Sequence, residues 1–180
     1  MKYSAVAGRY AKALLDVGID RGLEEEYAEL LRVCVEIYDS MKDFFDDPTL
    51  SSEKKLSVMV NVLEKTGFEL DEPFKNFLRI VFERKRQKHL PLILEFYTDL
   101  KIEARGKIPV NVYSPYQLDE GEMELLRKFV KKHALKEPEF RIEVVEDLLA
   151  GVRLEFEGLT YDVSVTGRLK RLYRDVFGKG

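Results

Sequence analysis

Residues 90–114 read LPLILEFYTDLKIEARGKIPVNVYS, and the spacing of their apolar residues changes at Gly106. Before this glycine the apolar residues recur at intervals of three and four, which is typical of an amphipathic helix. After it they occupy every second position as far as Val112, which is typical of a half-buried strand. The chain therefore divides into a helical part, residues 1–105, and a part that contains strands, residues 106–180.

The helical part is predicted to contain six helices joined by short loops. Pro48 stops a short third segment, Ser51 or Ser52 opens the fourth helix, and Asp71 precedes the fifth as its cap. The predicted helices cover residues 4–18, 23–41, a short segment at 44–45, 51–65, 71–86 and 90–105. Short loops and amphipathic stripes of this kind predict a compact helical bundle.

The first and fifth helices carry more apolar surface than one side of a bundle helix requires. In the first helix a stripe at helical spacing is widened by further apolar residues; the stripe is Val6, Tyr10, Ala13, Leu14 and Val17, and the additions are Ala5, Ala7, Ala11 and Leu15. In the fifth helix Phe77 and Ile80 widen a stripe of Phe74, Leu78, Val81 and Phe82. We therefore expect both helices either to be central in the bundle or to be covered on a second side.

The C-terminal part is predicted to be a small α+β domain. A strand at residues 108–113 is followed by a helix at 119–133 and a second strand at 140–144. Alternating residues on both sides of Gly158 predict a β-hairpin, and an amphipathic stripe at 169–177 predicts a final helix. The fold class is therefore mostly α, with an N-terminal six-helix bundle followed by a small α+β C-terminal domain.

The composition indicates a globular protein without a membrane span. The 180 residues are 45% apolar and 35% charged, with a net charge of −3 at pH 7. No apolar run approaches the roughly 18 residues that cross a bilayer, and no secretory leader is expected. One cysteine, Cys34, and two histidines far apart, His89 and His133, favour neither a disulfide framework nor a metal site. The lone cysteine is typical of a reducing cytoplasm.

No pattern of residues predicts catalysis. The 11 glycines are scattered, so no phosphate-binding loop is expected. Cys34 lies on the inward stripe of the second helix, where a structural thiol is expected rather than a nucleophile. His133 lies at a helix C-terminus, which favours a positive group. We therefore predict that the protein is not an enzyme and binds no metal or cofactor.

Two basic segments leave a second interpretation open. Residues 84–89 read RKRQKH, and residues 168–174 include four basic side chains. Basic patches bind nucleic-acid phosphates, with an affinity that falls steeply as salt rises. The alternative function is therefore an α-helical nucleic-acid-binding regulator. The position of residues 84–89 between two helices favours a structural junction instead, because cations also stabilise the preceding helix C-terminus.

Three segments, in the right order, resemble the delta subunit family of F-type ATP synthase, whose mitochondrial counterpart is the oligomycin-sensitivity-conferring protein. The first is RYAKAL at residues 9–14, and the second is NFLRIVFERKR at residues 76–86. The third is LAGV at residues 149–152, followed after the hairpin by DVSVTGRLKRL at residues 162–172. The likeness spans nearly the whole chain.

The resemblance implies a non-catalytic stator subunit. Its helical domain, residues 1–105, would bind the catalytic head through the N-terminal helix of an alpha subunit, and residues 106–180 would bind the b subunits of the peripheral stalk. Such a link couples proton-driven rotation to ATP synthesis. The implied location is peripheral, in the ATP synthase complex at the cytoplasmic face of the bacterial inner membrane, with no direct membrane insertion and no nucleic acid as partner.

The resemblance also implies which residues bind. The family uses the first and fifth helices, the two with the widest apolar arcs here, as a groove for an amphipathic helix. The implied contacts with the alpha-subunit helix are Tyr10, Ala13, Leu14, Phe77, Ile80 and Val81. The implied structural motif of the C-terminal domain is Gly151, Asp162, Ser164 and Arg168.

The sequence departs from the family pattern at three positions. Ala150, Val163 and Lys85 stand where the family often has glycine. We expect these departures to change local turn geometry and not the fold. Within the C-terminal motif, Asp162 and the nearby Ser164 are expected to bind backbone amides at the start of the last helix, with Arg168 paired to Asp162.

Overall fold

The structure is a computed structural model that describes residues 4–145, 148 and 151–162. The chain divides into two compact units between Lys101 and Ile102, and each unit is described by itself. The described residues form seven α-helices, one 3-10 helix and one four-stranded sheet. The predicted class, mostly helical with a small α+β C-terminal part, is confirmed at this level. The predicted final helix lies outside the described residues.

Helices make up the N-terminal unit. They are α1 (Ala5–Arg21), α2 (Glu24–Ser40), α3 (Lys42–Asp46), α4 (Ser52–Lys65), α5 (Glu72–Glu83), a 3-10 helix (Gln87–His89) and α6 (Leu90–Ala104). The side chains of Ser4, Ser51 and Asp71 each accept a hydrogen bond from a backbone N–H three residues later and so cap α1, α4 and α5. These caps fix where the helices begin.

Helix α1 continues one turn beyond its predicted end at Gly18. Gly22 ends the helix instead, in the left-handed conformation with φ +67°. Gly18 has a different role, because a Cβ atom there would lie 3.1 Å from Tyr97 Oη and 3.2 Å from the Glu24 Cα atom. Glycine at this position therefore lets α1 approach α2 and α6 closely.

Helix α1 faces the core with its small residues, and this corrects the stripe expected from periodicity. The buried residues are Ala7, Ala11, Leu14, Leu15 and Gly18. Of the predicted stripe, only Leu14 is buried, whereas Val17 is 37% exposed and Tyr10 is half-buried. The reason is that small side chains allow close helix packing, while a periodicity analysis gives more weight to large apolar side chains.

Helices α2 and α5 bury most of the stripes that the sequence predicts. Helix α2 buries Tyr27, Leu30, Leu31, Cys34, Ile37 and Tyr38, whereas Met41, the last residue of its predicted stripe, follows the helix and is 37% exposed. Helix α5 buries Phe74, Leu78, Val81 and Phe82. These residues belong to one hydrophobic cluster that also includes Phe45 and Ile93. Burial raises the pKa of the Cys34 thiol, which is fully buried, so this thiol is the structural one expected.

Helix α5 ends at Glu83, three residues before its predicted end at Arg86. Lys85 has φ +54°, a left-handed conformation that interrupts the helix. The backbone N–H groups of Lys85 and Arg86 then donate to the carbonyls of Phe82 and Val81. Lys85 therefore adopts a left-handed conformation that favours glycine, the residue that the family resemblance implies at this position, and the lysine side chain makes this conformation strained.

We expect Lys85→Gly to stabilise the protein by about 0.5–1 kcal/mol, since relief of left-handed strain exceeds the added chain entropy of glycine. The reverse change, Gly22→Ala, is the matched comparison, because a Cβ atom at Gly22 would meet nothing within 4 Å and only its φ of +67° is unfavourable. Gly22→Ala should destabilise by about 1 kcal/mol. Urea unfolding followed by circular dichroism measures both; a loss of stability in Lys85→Gly would contradict this account.

The C-terminal unit packs one helix on a sheet. Its elements are β1 (Lys107–Ser114), α7 (Glu120–Ala134), β2 (Glu137–Val144), β3 (Arg153–Phe156) and β4 (Leu159–Asp162). The strand order is β2-β1-β3-β4, with β1 and β2 parallel and the other pairs antiparallel. Its buried core is Ile108, Val110, Val112, Val130, Leu154 and Phe156.

The predicted hairpin is present as β3 and β4. Glu157 and Gly158 connect the strands with φ of +51° and +74°, as in the two-residue turns that match the twist of a hairpin. Behind the turn, Phe156 stacks on Tyr161 with ring centroids 4.8 Å apart. Helix α7 begins with a reciprocal capping box between Asp119 and Glu122.

Candidate functional site

An apolar groove of about 380 Å³ runs between α1 and α5. Its lining consists mainly of large apolar side chains from both helices, with one charged and one amide side chain. The lining residues are Arg9, Tyr10, Ala13, Leu14, Val17, Pro73, Asn76, Phe77 and Ile80. The groove exists because α1 buries one face in the core and leaves Tyr10, Ala13 and Val17 on a second face beside α5.

The floor of the groove is buried and its rims are accessible. Phe77 is 8% exposed and Leu14 is 3% exposed, so both belong to the core as well as to the groove. Tyr10 packs edge-on against Phe77, with 6.3 Å between ring centroids. Ala13 and Ile80 are exposed on opposite rims, and Ile80 exposes 40% of its surface. A ligand would therefore lie on a fixed aromatic floor between two apolar rims.

Five of the six residues implied as helix contacts line this groove. The sixth, Val81, is fully buried in the hydrophobic cluster and lies below the surface. The groove is also lined by four residues that were not among the predicted contacts: Arg9, Val17, Pro73 and Asn76. Val17 was on the first-helix stripe, so its spacing from Tyr10 carried a usable signal.

A partly buried carboxylate, that of Asp71, joins the end of α1, α2 and the start of α5. Tyr27 Oη donates to Asp71 Oδ2 at 2.5 Å, and Arg21 Nε lies 3.2 Å from the same oxygen. Asp71 Oδ1 accepts the backbone N–H of Phe74 at 3.0 Å. Because Arg21 ends α1 and Asp71 begins α5, the two helices run antiparallel along the groove. The Asp71 cluster therefore fixes one end of the groove.

Burial, together with the hydrogen bond to Asp71 and its negative charge, raises the pKa of Tyr27 to about 12. Since the neutral phenol is favoured in the folded state, its contribution to stability is present below about pH 10 and is lost as pH rises to about 12. We expect Tyr27→Phe to cost about 1.5 kcal/mol at neutral pH, because one hydrogen bond to a charged group is removed.

Urea unfolding of the wild type and Tyr27→Phe from pH 7 to 12 tests this. The difference in unfolding free energy between the two proteins should stay constant up to about pH 10 and then shrink. Above that pH the tyrosine of the unfolded wild type ionises and lowers its stability, whereas phenylalanine at position 27 has no proton to lose. A difference that stays the same up to pH 12 would show that Tyr27 does not hold its proton through the Asp71 cluster.

The basic segment 84–89 is a junction between helices in the described structure. Lys88 Nζ lies 3.3 Å from Asp46 Oδ2, and Gln87 is buried with its Nε2 donating to the Phe45 carbonyl at 3.0 Å. These contacts tie the junction to α3. The second basic segment, 168–174, lies outside the described residues.

The C-terminal motif is described in part. Gly151 has φ +84°, which explains a glycine there. Asp162 is the last residue of β4 and lies opposite Arg153 of β3. Ser164 and Arg168 lie outside the described residues, so their predicted capping and pairing with Asp162 stay predictions.

His133 and the acidic residues form no metal site in the part of the chain that the structure describes, where no three His, Cys, Asp or Glu side chains are grouped to hold an ion. His133 Nδ1 lies 2.8 Å from the Phe129 carbonyl oxygen, one turn earlier in α7. Across the same residues, no helix has the length and apolar character needed to cross a membrane.

The fold is that of a helix-rich protein with a small α+β unit. The family model described as ATP synthase delta (OSCP) subunit matches residues 6–176, and the chain belongs to this family. The family resemblance read from the sequence is thereby confirmed. Because this family is a structural subunit, the expected stator role and the expectation that the chain is not an enzyme are confirmed as well.

Relatives match over their full length. The chain is 46% identical to the ATP synthase subunit delta of Thermotoga petrophila over 180 residues, which is 100% of this chain and 98% of the relative. It is 35% identical to that of Fervidobacterium nodosum, with 99% of each covered. A chain in the cryo-EM structure of the Toxoplasma gondii mitochondrial ATP synthase hexamer has the same fold, with a TM-score of 0.69, 21% identity, and 96% and 98% of the two chains covered.

Proposed function

We propose that the chain links the catalytic head of an ATP synthase to its peripheral stalk, with the groove between α1 and α5 as the attachment to the head. The occupant of the groove is the amphipathic N-terminal helix of an alpha subunit. The observation that supports this is the aromatic floor under two exposed apolar rims. A stator holds the head against the torque of rotation, so it requires tight attachment at both ends and no active site.

The shape of the groove favours a helix as its occupant. Ala13 is small and exposed on the α1 rim, so a second helix can approach closely there. Tyr10 and Ile80 provide larger apolar surfaces on either side, and the buried part of each side chain is already held by the core. Apolar side chains spaced by three and four residues on the partner would fill the floor between them. Val81 is left out of the contact set because it is buried.

Family membership supports the remaining parts of the proposal. In this proposal the helices of residues 1–105 act as one six-helix bundle that binds the head, and residues 106–180 form the α+β domain that binds the b subunits. The complex lies at the cytoplasmic face of the bacterial inner membrane, and the chain reaches the membrane through its partners.

Charged substitutions on the floor and on one rim of the groove test the attachment to the head. Tyr10→Asp and Ile80→Asp place a carboxylate against the apolar face of the bound helix, and each should weaken binding to the head at least about 30-fold, since burying an unpaired charge costs more than 2 kcal/mol. The measurement is titration calorimetry of the full chain against the alpha-subunit N-terminal peptide and against the isolated head.

Ile19→Asp is the matched control. Ile19 is also on α1 and is 48% exposed, but it does not line the groove. It should bind with wild-type affinity, and circular dichroism should show the same helicity in all three variants. Wild-type affinity in Ile80→Asp, with its fold intact, would reject the groove as the attachment site.

A further inference from the structure

The groove between α1 and α5 has opposite charges at its two ends. Among the described residues that line it, Arg9 is the only charged one. Asp16 and Asp20 follow Arg9 by seven and eleven residues, so at about 100° per residue all three lie on one stripe of α1. The stripe runs along the outer rim of the groove, beside Ala13. Its basic end is about 10–16 Å from its acidic end, at 1.5 Å per residue.

These charges have no partner within the described structure. Arg9, Asp16 and Asp20 are all exposed, and no ion pair or side-chain hydrogen bond involves them among the residues described. By contrast, nearby Arg21 is paired with Asp71. The three rim charges are therefore available to a bound partner.

Helix α5 adds to the acidic end. Because α5 runs antiparallel to α1, its first residue, Glu72, lies at the same end of the groove as Asp16 and Asp20. Glu72 is exposed and also unpaired among the described residues. At the other end of α5, Glu83 is followed by three basic residues, Arg84, Lys85 and Arg86, so the net charge there is positive, as at Arg9.

We propose that this polarity selects both the charge pattern and the direction of the bound helix. The partner carries acidic residues at the end that lies beside Arg9 and basic residues at the end that lies beside Asp16, Asp20 and Glu72. The inference rests on the proposed function, since it concerns the same groove. Apolar contacts alone hold a helix in either direction, whereas full charges at both ends favour one direction by complementarity.

Two synthetic 18-residue amphipathic peptides test the polarity. They share one apolar face and one composition, but one has Glu at its N-terminal end and Lys at its C-terminal end, and the other has these reversed. Each carries a spin label at its N-terminus and is added to the full ¹⁵N-labelled chain. In the Glu-first peptide the label marks the acidic end, so it should broaden the amide signals near Arg9 and Ile80. In the Lys-first peptide the label marks the basic end, so it should broaden the amide signals near Val17 and Pro73.

A variant with the rim charges exchanged tests the same polarity from the side of the protein. Arg9→Glu with Asp16→Lys and Asp20→Lys should reverse both patterns and weaken the originally preferred orientation about tenfold, as expected when three surface pairs change from attractive to repulsive. Glu36→Lys, which makes the same change in net charge on an exposed position of α2, should alter neither pattern. The preference should also weaken in high salt, because the rim charges are exposed.

The outcomes separate this inference from the proposed function. If both peptides bind the groove with the same end at Arg9, or if each broadens the signals at both ends equally, the proposed polarity is wrong. The proposal that the groove binds a helix is then still supported. If neither peptide perturbs the groove residues, the groove is not a helix-binding site, and the inference fails with the proposed function.

Discussion

Close packing of α1 through small side chains is the constraint on which the functional surface depends. Ala7, Ala11 and Gly18 lie on the core face, and a Cβ atom at Gly18 would come within 3.2 Å of the backbone of Glu24. The close contacts of these small residues set which face of α1 is turned toward the core, with Leu14 and Leu15 buried beside them. Tyr10 and Val17 are therefore left on a second face, where they meet α5.

Helix α5 completes the surface because its apolar arc is also wider than the core requires. Phe77 is buried yet forms the groove floor with Tyr10, and Ile80 stays exposed on the rim. The Asp71 cluster holds the two helices together at one end of the groove. The groove is thus prepared before any partner binds, which lowers the entropy cost of binding. A preformed surface of this kind suits a stator, which transmits force without doing chemistry.

Much of this architecture was predictable from the sequence, because periodicity and capping are local properties. The switch of period at Gly106, the cap at Asp71 and the hairpin at Gly158 all appear in the structure. The wide apolar arcs of the first and fifth helices predicted that these two helices have a second apolar face, and this face lines the groove. Periodicity did not identify the core face of α1, because alanine and glycine contribute little to an apolar stripe even where they permit the closest packing.

Other features depend on contacts between distant residues or on backbone conformation. The end of α5 was missed because Lys85 takes up a left-handed conformation that lysine seldom adopts. The strand order β2-β1-β3-β4 has no signature in a single sequence, and neither does the burial of Val81 beneath the groove. Pro73 and Asn76 line the groove only because α5 lies against α1.

Hydrogen exchange of the full chain, with and without the N-terminal peptide of the alpha subunit, tests the central claim most directly. The account predicts slower exchange in the groove-forming turns of α1 and α5, residues 6–17 and 73–80, with α2 and α4 unchanged. Protection confined to α2 or α4, or no change in the groove helices under conditions where the peptide is bound, would contradict it.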